Sequence, residues 1–221
     1  MGAGAKMSTL LHELAAAGSA PALVSYAEDG RTELSGRVLA NWIIKSINLF
    51  ANELLVDEGF TLVLDLPPHF KRSVLQIAAW HLGANVSIAG SDDLPEHIDV
   101  LATSHPDTAL AERAEDVLVL EARALSLAFP GEIPPLALDW VQAVRAAGDD
   151  LEVPLGAFTG PSPTPRPEWG SARRVGLDDI DLQGAAEALA AWEEGRTIVA
   201  PYAKLDPATR AAEGLESSSE A

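Results

Sequence analysis

Seven residues, Phe60-Thr61-Leu62-Val63-Leu64-Asp65-Leu66, place apolar side chains on both faces of an extended segment, and Pro67-Pro68 stops them. A strand with one wet face alternates; a run like this suits the middle of a parallel sheet covered on both sides. Val74, Leu75, Ile77, Ala78 and Leu82 then recur at helical spacing between His69 and Gly83, and Asn85 to Ala89 resumes as a strand. The unit is βαβ, and its crossover is expected to be right-handed.

The alternation extends in both directions. Ala22–Ala27, the turn signal Glu28-Asp29-Gly30 and Arg31–Leu34 read as a β-hairpin, and Ser35 as the N-cap of an amphipathic helix running to about Leu55. Downstream, Ile98–Thr103 is a strand, Ala109–Ala114 a helical turn or two, Val117–Leu120 another buried strand, and Leu138–Ala147 a helix around Trp140, Val141 and Val144. This predicts an α/β fold: a layered, mostly parallel sheet with flanking helices. Residues 1–155 form the α/β domain with its N-terminal hairpin. Residues 156–172, with prolines at 161, 163, 165 and 167, are a linker or surface crossing whose backbone is extended. Residues 173–215 return as helix (Leu182–Glu194), strand (Arg196–Ala200) and short helix (Pro207–Leu215) onto the same sheet, and 216–221 form a disordered tail.

Composition narrows the partners. Thirty-three acidic against 15 basic residues give a formal charge of -18, which repels phosphate backbones and anionic headgroups. Nucleic acid and membrane surfaces are therefore excluded as expected partners. The chain has no cysteine, hence no disulfide frame or thiolate site. Met1–Ser19 lacks a signal-peptide core, and no apolar run approaches the roughly 18 residues of a membrane span, so a cytoplasmic location is expected.

The chemistry-bearing residues are few. His12, His69, His81, His97 and His105 make no HExxH, no HxH and no closely spaced His/carboxylate cluster, which predicts no metal. There is no complete P-loop, no dinucleotide GxGxxG and no Gly-x-Ser-x-Gly elbow, so no cofactor and no catalytic residue are assigned. Ligands of open α/β sheets bind beyond the carboxyl ends of the strands. Asp65, His69, Thr103, Ser104 and His105, with Ser91 and Asp92, fall there and are the candidate binding residues. Helix capping and turn chemistry are the ordinary use of the same residue types.

Four fragments resemble the N-terminal subdomain of the adenylate-forming enzymes, the AMP-binding superfamily of acyl-CoA ligases, luciferases and peptide-synthetase adenylation domains. They are Ala22–Tyr26 with Arg31–Ser35, Trp42–Leu54, Phe60–Pro67, and Ile77–Val86; a fainter echo returns at Ala188–Val199 and Leu205–Arg210. The resemblance covers roughly half the chain and implies an acetyl-CoA-synthetase-like scaffold. It also implies a Ser/Thr-Gly-rich phosphate loop ending in Pro-Lys-Gly, and the nearest match is Phe158-Thr159-Gly160-Pro161-Ser162-Pro163-Thr164-Pro165-Arg166. Three of those residues have no N–H to offer a phosphate. The superfamily's Tyr-Gly-x-Thr-Glu signature, its ribose-binding acidic motif and the lid with its catalytic Lys have no counterpart in these residues either. The expectation is an uncharacterised scaffold, more a binding or self-associating protein than an enzyme. A protein binding a small ligand, nucleotide or acyl-CoA at the strand ends, or a regulatory partner of a full-length ligase, are the alternatives.

Overall fold

The computed structural model describes residues 3–27, 29–91, 94–124 and 126–215. In chain order the elements are α1 (Ala3–Ala16), β1 (Pro21–Ala27), β2 (Gly30–Ser35), α2 (Gly36–Asn52), β3 (Thr61–Asp65), α3 (Phe70–His81), β4 (Asn85–Ile88), β5 (Ile98–Thr103), β6 (Ala114–Val119), β7 (Leu138–Asp139), α4 (Trp140–Ala146), β8 (Arg174–Gly176), α5 (Ala185–Glu193), β9 (Thr197–Ala200) and α6 (Pro207–Ala212). They gather into two compact units, 1–7 with 41–160 and 8–40 with 161–221. Glu28 of the expected hairpin turn and the tail 216–221 lie outside the described residues.

The unit of residues 41–160 holds a five-stranded, all-parallel sheet in the order β4-β3-β5-β6-β7. β3 is interior, and Leu62, Val63 and Leu64 are fully buried, as the two-faced apolar run requires. α3 is buried at every position from Phe70 to His81. The chain passes from β3 outward to β4 and then returns to place β5 on the other side of β3. The winding therefore reverses at the β3/β5 pair, the switch point at which doubly wound sheets leave a crevice.

The start of the Pro-rich crossing is fixed to α3. Gly156 N–H donates to His81 O at 2.8 Å, Thr159 N–H to Trp80 O at 3.3 Å, and Thr159 Oγ1 to Ala84 O at 2.6 Å. The Phe158 ring meets Trp80 edge-on at 5.8 Å. A Cβ at Gly160 would stand 2.7 Å from the Trp80 ring, so glycine is what lets the chain lie this close.

The unit of residues 8–40 and 161–221 holds a second sheet, β2-β1-β9-β8: an antiparallel hairpin extended by two parallel strands. This corrects the expectation of a single sheet, since the strands of 173–215 join the hairpin strand β1 and not the five-stranded sheet. Leu23 pairs with Ile198, a contact across 175 positions that no local pattern encodes. Trp192 of α5 is buried and its Nε1 donates to Ala22 O at 3.0 Å, fastening helix to hairpin. Ser35 Oγ accepts from Val38 N–H at 3.3 Å, the cap expected for α2. Gly36 follows because a Cβ there would lie 2.3 Å from Leu14 O of α1. Val24, Val199, Leu205 and Leu215 form the apolar core that Tyr26 and Tyr202 flank.

Three elements were not expected from the sequence: α1, with buried Leu10, Leu11 and Leu14, and the short strands β7 and β8. The helix expected at Ala109–Ala114 is one 3-10 turn, Ala111–Arg113, before β6 begins. Among the described residues no helix is long and apolar enough to cross a membrane.

Candidate functional site

β3 ends at Asp65 and β5 at Thr103, paired in register across the switch point. Thr103 Oγ1 donates to Asp65 Oδ2 at 2.7 Å and accepts from His105 N–H at 2.8 Å. The hydroxyl thus turns the chain leaving β5 and holds the Asp65 carboxylate at the carboxyl end of the sheet. Pro67-Pro68 then force the turn into α3, whose N-cap is His69, its Nδ1 accepting from Lys71 N–H at 3.3 Å. The side chain is 7% exposed and its ring lies 4.6 Å from that of Phe70.

The first turn of α3 carries two buried cations. Lys71, 1% exposed, donates from Nζ to Glu121 O at 2.8 Å and Arg123 O at 2.7 Å, just beyond β6. Arg72 Nη1 donates to Leu66 O at 2.7 Å. A helix N-terminus already bears partial positive charge, so this end of the sheet combines that field with two cations facing backbone carbonyls. Asp139 caps α4 beyond β7, accepting from Val141 N–H at 2.9 Å, Gln142 N–H at 3.2 Å and Phe129 N–H at 2.7 Å.

Of the residues expected here, Asp65, Thr103 and the His105 backbone meet. Ser104 does not join them, because its Oγ donates to Leu120 O at 2.8 Å. The His105 side chain is exposed, Ser91 is exposed beyond β4, and Asp92 lies outside the described residues. Lys71 is the residue that the sequence reading passed over; its signal is the Lys71-Arg72 pair that opens a helix whose remainder is mostly apolar. Thr103→Val is expected to cost about 1–2 kcal/mol, since it removes a buried donor from Asp65 and an acceptor from the His105 N–H. Urea unfolding of the two proteins measures it, and equal midpoints would contradict the bracing role.

A cavity of about 280 Å³ opens at the opposite, amino end of the same strands, lined by residues 54–60 with Asp99, Val100, Glu115 and Asp116. Burial, and then the charge of Glu115, push the Asp116 carboxyl above its ordinary range. Beside the cavity His97 Nε2 stands 3.0 Å from Asp99 Oδ1 and 3.5 Å from Glu115 Oε1. The expectation of no His/carboxylate cluster is corrected here: Ile98 pairs with Ala114 and Val100 with Asp116, which brings Asp99 beside Glu115 across the β5/β6 pair.

No family model matches the chain. A protein of Mycobacterium tuberculosis (strain ATCC 25618 / H37Rv) described as a TIGR03089 family protein is 29% identical over 136 residues, 58% of this chain and 54% of that protein. Among solved structures, an acyl-CoA synthetase of Brucella canis aligns with a TM-score of 0.62 at 15% identity, over 87% of this chain and 43% of its own. The N-terminal domain of FACL13 from Mycobacterium tuberculosis aligns with a TM-score of 0.60 at 13% identity, over 96% and 59%. An anthranilate CoA ligase, AuaEII, solved in complex with anthranoyl-AMP, aligns with a TM-score of 0.61 at 15% identity, over 90% and 44%. The chain thus spans about half the length of the proteins it matches. At such identities the likeness is one of architecture, and what it establishes is that this chain has the mixed α/β, mostly parallel fold of the N-terminal subdomain of acyl-CoA synthetases.

Proposed function

We propose that the chain is an adenylate-forming-enzyme-like scaffold that acts by binding or self-association and does not itself adenylate. The observation that carries this is the state of the segment nearest to a phosphate loop. Thr159 and Thr164 spend their N–H groups on Trp80 O and Ala186 O, and Pro161, Pro163 and Pro165 have none. A loop that wraps triphosphate needs several free N–H groups converging on one point. Incubation with ATP, Mg²⁺, CoA and a panel of carboxylates is expected to release pyrophosphate no faster than buffer; robust turnover would overturn the proposal.

A second reading has one observation in its favour, the Asp65–Thr103 pair at the switch point beside the cationic start of α3. It assigns that end to a small anionic ligand such as a nucleotide or acyl-CoA. Millimolar ligand would then raise the melting temperature, by the mass-action term RT ln(1 + [L]/Kd). Asp65→Asn and Thr103→Val would abolish the rise, and a flat response in the unmodified protein would count against this reading.

A further inference from the structure

We propose that His97, Asp99 and Glu115 form a site for a borderline first-row divalent cation, of which zinc is the natural probe. The site lies at the amino end of the five-stranded sheet, remote in the strand direction from the carboxyl-end candidates, and does not depend on the function proposed for them.

The sheet itself assembles the donors. His97 immediately precedes β5 and its Nε2 stands 3.0 Å from Asp99 Oδ1 in that strand, and Glu115 lies beside Asp99 on the adjacent strand β6. One imidazole nitrogen and two carboxylate oxygens lie within 4.8 Å of one another. Zinc holds such ligands at about 2.0–2.1 Å, which puts two ligand atoms of a tetrahedral site about 3.3 Å apart. The separations of 3.0 Å and 3.5 Å from His97 Nε2 bracket that edge.

Two further features prepare the cluster. Asp99 Oδ2 accepts the Thr61 N–H at 2.6 Å, which leaves Oδ1 turned toward His97. Such backing of a ligand carboxylate is the outer-shell contact that fixes metal ligands. Arg113 donates to Pro95 O at 2.9 Å and Glu96 O at 3.2 Å, securing the approach to His97. Asp99 and Glu115 also line the cavity, together with Asp57, Glu58 and Asp116. Three protein ligands leave a tetrahedral ion one position for water or a small anion. A mixed nitrogen–oxygen set selects zinc, cobalt or nickel over magnesium and calcium, which take oxygen donors.

Calorimetric titration of tag-free protein with zinc is expected to show one saturable site that equimolar Mg²⁺ or Ca²⁺ does not occupy. His97→Ala and Glu115→Gln are each expected to weaken it about tenfold or more, at least the loss an outer-shell change causes. Both side chains are more than 60% exposed, so the variants should melt within about 2 °C of the parent, separating loss of the site from loss of the fold. Cobalt supplies a second readout, a visible absorption band whose intensity reports four-coordination. Absence of saturable zinc binding would reduce the cluster to a hydrogen-bonded contact, and unchanged affinity in His97→Ala would move the ion elsewhere; either result overturns the proposal.

Discussion

Trp140→Ala is expected to lower the stability of the 41–160 unit by about 3–5 kcal/mol, the range for deleting a fully buried large aromatic side chain. Trp140 is 0% exposed at the first position of α4, tilted against Trp42 at 5.2 Å, and Trp42 in turn meets Phe70 of α3 at 6.2 Å. Its removal opens a cavity where three helices share aromatic contacts. Asp139 and Asn48 hold the two ends of α4 in place, Asn48 by donating to Gly148 O at 3.1 Å and Asp150 O at 2.7 Å, so the site is poorly able to collapse around the void. Trp140→Phe should cost far less than alanine. Among the described residues the buried indole Nε1 has no partner, and deleting it recovers about 1–3 kcal/mol of desolvation that offsets part of the lost area. Thermal unfolding followed by far-ultraviolet circular dichroism is expected to place alanine roughly 10 °C below the parent and phenylalanine within a few degrees. Equal losses for the two would show that a contact only the indole makes, and not the volume removed, sets the cost.

Burial on both faces is what made the centre of the five-stranded sheet readable, though not its edge strand β7. The run from Phe60 to Leu66 has no polar alternation, so only an interior parallel position suits it, and the helix and strand after it then follow by period. The second sheet has no such local trace. β1 and β9 pair across most of the chain, and β8 is three residues long, too short for any periodicity to register. α1 escaped for a different reason: a weakly polar, alanine-rich opening gives little amphipathic signal, and Leu10 and Leu14 become core only once the hairpin and Gly36 are beside them.

The candidate residues divide along the same line. Asp65 and Thr103 end neighbouring parallel strands, and the tendency of such ends to gather polar groups places both before any register is known. Ser104 and His105 are the first residues out of β5, where the direction of the turn decides what they face, and that direction is fixed by Leu120 and Thr103 through hydrogen bonds no spacing rule contains. His97 and Asp99 are adjacent enough to be suspected. Glu115 joins them only through the β5/β6 register.

Glu213→Gln is expected to destabilise the unit of residues 8–40 and 161–221 by about 2 kcal/mol, and the loss should depend on pH. Glu213 closes α6 onto the sheet: its carboxylate accepts from Arg31 Nε at 2.7 Å and from Tyr26 OH at 2.6 Å, and it also binds Arg174. The carboxylate is buried, with 6% of its side chain exposed, whereas Arg31 and Arg174 are 40% and 31% exposed. Removing one member of a fully buried pair costs about 3–5 kcal/mol; water reaches these guanidinium groups, and screening brings the figure down. The hydrogen bond from Arg31 holds the Glu213 carboxyl below its usual range, against the opposing effect of burial and with further help from Tyr26. A carboxyl whose folded value is depressed stabilises fully above its unfolded value, about 4.3, and loses that contribution as pH falls through the folded value. The gap between parent and Glu213→Gln should therefore be constant from about pH 7 to 5.5 and close progressively toward pH 3. Urea midpoints measured across that range decide it; a gap that stays the same at pH 3.5 would mean that the glutamine disturbs packing and that the charge of Glu213 contributes nothing.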